Sequence, residues 1–369
     1  MAQSAVDGQD LLGVQDNQPK ANNKAPGGIC NTCCTSCFSF LSRPSSVIPD
    51  PIRTRGPGRP PVLPEDAEIA DMAADAFESL DRNDSDLMDM ADLASKKRLK
   101  KVEKLNRYSD VVPKRHSAVR LSLLDGKSET TYINASFIHG VDGWPMAYIA
   151  TQGPKEESME SFWRMVWEKG ATVIVMLTDL VEGHRAKCAR YWPKYSGHKR
   201  PSGSATEHQY GQLTVSNIAE EKLPGRVVRS TLRLRRAFQR DDAHLIVHHF
   251  WYRGWHDWNV PGETDVCERL LQEVQLCGGQ SDSGPWVVHC SAGVGRTGAF
   301  LAMDMGMRVL AKTHKVDLLD IIADLRKDRA GLVQTAAQAE FARNVLVSML
   351  DHKAAGVDCM KKDDCSPVE

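Results

Sequence analysis

The sequence predicts an α/β fold: a single large domain on a highly twisted mixed β-sheet flanked by α-helices. Three observations carry this. From Tyr108 to about Leu350, short apolar, β-branched runs alternate with longer stretches of helical period. Hydrophobic residues make up 41% of the 369, enough for an ordinary core. One apolar run leads through a glycine-rich turn into a helical stretch, the strand, loop and helix unit that cradles anions.

Taken in order, residues 1–64 are polar and then rich in Pro, Gly and Ser, which predicts a disordered arm. Pro61 and Pro64 have the spacing of a proline-rich ligand but no Arg at the preferred distance. Residues 81–86 (DRNDSD) imitate a calcium loop, yet Asp86 stands where the turn needs Gly. A helical pattern spans 65–104 and includes a basic run over 96–101 (KKRLKK), read as a solvated helix face, with a nuclear-import signal as the other reading. The core predicts strands over 119–123, 148–151, 173–177, 244–252 and 286–289. It predicts helices over 158–168, 264–276, 297–312, 316–327 and 335–350. The domain is expected over 65–352, followed by a short polar tail over 353–369. Cys365 lies too far from the end for a prenylation box.

The charge balance, 47 basic against 48 acidic side chains, argues against nucleic acid as a partner. No run approaches the roughly 20 apolar residues of a membrane span. The first residues lack the basic head and apolar stretch of a secretory signal. Ten irregularly spaced cysteines read as reduced thiols, hence a cytoplasmic protein, a location compatible with nuclear access.

The chemistry concentrates in VVHCSAGVGRTG over 287–298. The apolar residues before His289 read as a buried strand, and the stretch after Arg296 as a helix. Gly293, Gly295 and Gly298 permit a tight loop. The backbone N–H groups of Ser291, Ala292, Gly293, Val294 and Gly295 would then converge at a helix N-terminus, holding a phosphate dianion without metal or cofactor. The same field favours the thiolate of Cys290, and Arg296 offers a planar fork for two phosphate oxygens.

With these residues the sequence resembles the protein tyrosine phosphatases of the cysteine-dependent, non-receptor type. The resemblance spans about residues 75–350 and rests on several further motifs in order: LNRYSDV over 105–111, YINAS over 132–136 and YIATQGP over 148–154. FWRMVWE over 162–168, KCARYWP over 187–193 and QTAAQ over 334–338 continue it. It implies hydrolysis of phosphotyrosine in proteins, within signal transduction, through a cysteinyl-phosphate on Cys290, with Arg296 clamping the phosphoryl oxygens. Asp257 would protonate the leaving oxygen and then activate water, which Gln334 and Gln338 would position. Thr297 would donate to the Cys290 sulfur, and His289 would orient the loop. Tyr108 would stack on the substrate ring and Asp110 would bind its backbone, while Glu182 would fix the Arg296 fork and Lys187 support the acid loop.

The acid loop departs from the family's usual Trp-Pro-Asp and reads Trp255-His256-Asp257. Loss of the proline's restricted φ is expected to widen the open ensemble, lowering turnover, with His256 adding pH dependence. On that expectation His256→Pro raises turnover. The alternative is a substitution that other contacts render neutral. A phosphotyrosine-binding protein with weak turnover is the rival function. A dual-specificity or phosphoinositide phosphatase is a second, disfavoured because the Tyr108 loop implies a deep cleft and the cradle carries Val294 and no Lys, and a scaffold whose N-terminal arm carries the function is a third. In the arm, Cys30, Cys33, Cys34 and Cys37 stand beside Phe38 and Phe40. S-acylation, and with it membrane association, fits that spacing better than one zinc site; absence of any role is the third reading.

Overall fold

The computed structural model describes residues 96–197, 206–237, 243–257, 259–278 and 284–354. The arm, its four cysteines, the acidic segment over 65–86 and the tail from residue 355 on lie outside them.

Buried apolar runs form the centre. Strands β3 (Tyr148–Thr151), β4 (Val173–Met176) and β11 (Trp286–His289) are buried at every position. Such continuous burial suits parallel strands covered on both faces. β11 inserts between β3 and β4, parallel to both, and β10 (His244–Tyr252) runs parallel on the far side of β4. Antiparallel strands extend the sheet outward. On one side stand β2 (Tyr132–Ile138) and β1 (Ala118–Arg120). On the other stand β9 (Val227–Arg236), β8 (Leu213–Leu223) and β7 (Thr206–Tyr210). Among the described residues the sheet has nine strands, and its mixed character is as the sequence predicts. A separate hairpin pairs β5 (Val181–Glu182) with β6 (Arg185–Ala186).

Alternation along each strand feeds two cores. Val173, Val175 and Val288 face α3 (Asp265–Gly278), α4 (Gly295–Thr313), α5 (Leu318–Asp328) and α6 (Ala336–Ala354). Ile174, Met176 and Val287 face α2 (Met159–Glu168) and the segment around Tyr191. Helix α1 (Lys96–Leu105) precedes β1. Asp317 caps α5, its carboxylate accepting from the N–H groups of Leu319 and Asp320.

Two differences from the sequence reading have physical causes. The first strand ends at Arg120 rather than 123, because the Ser122 N–H donates to the Glu168 carboxylate instead of a neighbouring strand. Strands β7 to β9 were not expected, since Arg and Glu dilute their apolar character. In β9 the signal was present as period two: Ser230, Leu232 and Leu234 are buried, alternating with more exposed neighbours.

Candidate active site

The ends of β11, β4 and β10 bring three loops together at one edge of the sheet. After His289 the chain passes through Cys290 into α4, which begins at Gly295. Gly293 takes φ +75°, and a Cβ there would stand 2.1 Å from the Thr151 carbonyl oxygen, so no side chain fits. A Cβ on Gly298 would lie 2.2 Å from the Val333 nitrogen. The loop can pack this closely only with glycine at both points.

Arg329 holds the loop from behind. It is fully buried; its Nε donates to the Gly293 carbonyl at 2.9 Å and its Nη2 to the Ala292 carbonyl at 3.1 Å. Asn134 Oδ1 accepts a further bond from the same Nη2 at 2.8 Å. Turning these carbonyls toward a buried guanidinium leaves the loop's N–H groups to face the sulfur. Burial pushes Arg329 down to about 10, and it still carries its charge at neutral pH. The sequence reading passed over Arg329, which no motif marks.

His289 fixes the loop's near end, and a chain of tautomers follows from one carbonyl. Its Nδ1 lies 3.0 Å from the Cys290 oxygen, an acceptor only, so Nδ1 carries the proton. Burial pushes the imidazole down to about 4, so the ring is neutral and Nε2 accepts. Tyr191 therefore donates to His289 Nε2 at 2.7 Å and accepts from His249 Nε2 at 2.8 Å. Tyr191 and His249 were likewise not singled out from the sequence.

Cys290 is 4% exposed. Burial alone would raise its pKa, but the Arg296 charge and donors from Thr297 and Gly293 outweigh it, and the thiol lies below its ordinary value. The Gly293 N–H points at the sulfur, 3.3 Å away. The Thr297 hydroxyl, buried beside it, makes no well-formed hydrogen bond among the described residues. By contrast, burial drives Cys188 and Cys267 far up as thiols.

Arg296, 1% exposed, lies across the loop from Glu182 and Asp257. Its Nη1 donates to Glu182 Oε1 at 2.6 Å and to the Trp255 carbonyl at 2.8 Å; its Nη2 is 3.1 Å from Asp257 Oδ1. The other Asp257 oxygen pairs with Lys187. Glu182 Oε2 accepts the Asp257 N–H at 3.0 Å. Burial would raise Glu182, yet bonds from Arg296, Thr178 and the Asp257 N–H lower it. The structure thus brings Cys290, Arg296, Glu182, Lys187 and Asp257 together.

The outer wall follows. Ser291 Oγ donates to the Lys187 carbonyl at 3.0 Å, so its oxygen accepts from the Tyr108 hydroxyl, also at 3.0 Å. Tyr108 is half-buried, Asp110 exposed. Gln334 and Gln338 flank Gly295: a Cβ there would come within 2.7 Å of Gln334 Oε1 and 2.9 Å of Gln338 Nε2. Between them, Gln338 Oε1 accepts the Gln334 N–H at 2.9 Å. The preceding residue, Val333, takes φ +61°, costly for a β-branched side chain. Arg326 grips its carbonyl at 2.6 Å, and the Val333 N–H bonds to the Val294 carbonyl at 3.2 Å.

A buried cysteine in a glycine loop at a helix start, an arginine six residues on and a carboxylate across the mouth define the cysteine-dependent phosphatase class. Residues 102–348 match the Protein-tyrosine phosphatase family model, and the chain belongs to that family. Over 241 residues it is 36% identical to rat tyrosine-protein phosphatase non-receptor type 7, covering 65% of this chain and 62% of that protein. It is 37% identical over 243 residues to mouse receptor-type tyrosine-protein phosphatase C, covering 66% of this chain and 18% of that one. A solved structure described as the structural basis of the PTPN18 fingerprint on distinct HER2 tyrosine phosphorylation sites superposes with a TM-score of 0.64. That match is at 30% identity and covers 77% of this chain and 93% of the other. The chain therefore spans about 62% of the length of the type 7 proteins it matches. Among the described residues no helix is long and apolar enough to cross a membrane.

Proposed function

We propose that the chain hydrolyses phosphotyrosine in proteins through a cysteinyl-phosphate intermediate on Cys290. The observation that carries this is a lowered Cys290 thiol beside a buried Arg296 whose fork also reaches the acid, Asp257. Membership of the family and the names of the relatives support the substrate class.

In this reading the phosphoryl group enters the N–H cradle and takes the Arg296 fork. The thiolate attacks phosphorus, the bond to the tyrosyl oxygen breaks, and Asp257 supplies the proton that oxygen needs. Asp257 stands between Arg296 and Lys187, one carboxyl oxygen toward each. After the aryl group leaves, Asp257 takes the proton of a water held by Gln334 and Gln338. That water attacks phosphorus, and sulfur leaves as thiolate, helped by the Thr297 hydroxyl. Glu182 keeps Arg296 oriented throughout, and Tyr108 and Asp110 hold the substrate's ring and backbone.

The test is hydrolysis of a phosphotyrosine peptide with reductant and a metal chelator. Cys290→Ser should abolish turnover, and Asp257→Ala should lower it on the order of 10²-fold. Tight retention of the peptide with no turnover would overturn the reading in favour of a binding protein. The same reading takes residues 65–352 as the catalytic domain and a cytoplasmic, signalling setting. Acylation of the arm is checked by palmitate labelling, which should vanish when Cys30, Cys33, Cys34 and Cys37 are all replaced by Ser.

A further inference from the structure

Asp257 belongs to a loop that lacks the family's usual proline, yet the loop is tied down closely. Trp255 Nε1 donates to the Asn259 carbonyl at 2.7 Å, and the Asn259 N–H reaches the His256 carbonyl at 3.3 Å. These bonds close the turn on itself. They do not say what fixes the turn to the rest of the chain where it leaves the sheet.

Arg253 stands at that point, the first residue after β10 and four before Asp257. Its N–H donates to the Arg226 carbonyl at 3.2 Å. Its guanidinium lies 4.6 Å from the centre of the Trp251 ring, and its Nε is 3.1 Å from Asp179 Oδ1. The ring is fixed: Trp251 is 8% exposed and donates Nε1–H to the Thr178 carbonyl at 2.9 Å. Thr178 in turn donates its hydroxyl to Glu182 Oε1 at 2.8 Å, and Glu182 accepts the Asp257 N–H. The circuit runs from the loop's entry, through Arg253, Asp179 and Thr178, to the hairpin carrying Glu182, and back to the acid. An exposed ion pair alone contributes little. A cation packed on a buried ring and held by a carboxylate restricts the backbone it grows from, as a proline ring does by other means.

We propose that Arg253 is a positioning residue that anchors the acid loop in the role the missing proline plays elsewhere in the family. The proposal rests on the phosphatase reading above. It revises the expectation for His256→Pro: that change should be nearly neutral alone, and should matter only when the anchor is gone.

The experiment measures kcat and KM on a phosphotyrosine peptide, with hydrogen exchange over residues 254–257. It compares the unaltered protein with Arg253→Ala, Arg253→Lys, His256→Pro and the double variant Arg253→Ala with His256→Pro. Arg253→Ala should lower kcat about tenfold, leave KM within about twofold and speed exchange. Arg253→Lys should recover part of the loss. His256→Pro should change kcat less than about twofold alone and restore most of it in the double variant. An Arg253→Ala variant with kcat and exchange unchanged would overturn the anchor, as would a loss that His256→Pro does not repair. An inactive unaltered protein would instead overturn the phosphatase reading, and the exchange data would still decide the anchor.

Discussion

At the residue scale the chemistry turns on which thiol is ionised. Alkylation with iodoacetamide should label Cys290 first, with a rate that titrates below the ordinary thiol range, while Cys188 and Cys267 stay inert. Arg296 gives the largest lowering, so Arg296→Met should slow labelling at pH 6 by about tenfold or more. The sign for stability follows. A folded pKa below the unfolded one contributes stability that is fully present above the unfolded value, near the ordinary thiol, and lost as pH falls through the depressed value. Denaturant midpoints of the unaltered protein and Cys290→Ser should therefore converge as pH drops through that window. Cys290 and Arg296 were legible because the chemistry demands their types at fixed spacing, and Asp257 through the resemblance of its loop to the family's. Arg329, Tyr191 and His249 were not, since they act from behind through loop carbonyls or a ring nitrogen, and any buried polar residue looks alike in sequence.

At the element scale the phosphate-binding loop depends on backbone shape. Gly293→Ala places a methyl group against the Thr151 carbonyl at a positive φ, so it should unfold the loop or the domain, with a Tm drop of several degrees and turnover lost. Asp317→Ala removes a cap far from the chemistry and should cost about 1 kcal/mol in urea unfolding, with kcat unchanged. The buried central strands and the helices were readable because their apolar periodicity is undiluted. β9 was not, because its buried Leu alternate with Arg, and β8 was not, because its second half, with Glu220, Glu221 and Lys222, is polar and exposed; both are weaker signals than a continuous apolar run.

At the scale of the whole molecule, the parallel strands β3, β11, β4 and β10 hold the sheet, and the loops carrying Cys290, Glu182 and Asp257 follow three of them at one edge. Amide exchange should be slowest in these strands, which are covered on both faces, and much faster in β7, a mostly exposed edge strand. The placement of β11 has a consequence for how the chain comes into being. Its partners are complete by residue 176, yet β11 begins at Trp286, so the two strands it will join must wait through more than a hundred residues of synthesis. A nascent chain in that interval carries exposed apolar strand edges and a large closure entropy still unmet. Chaperone dependence should therefore peak before residue 286 leaves the ribosome, and Cys290 appears only as that gap is filled.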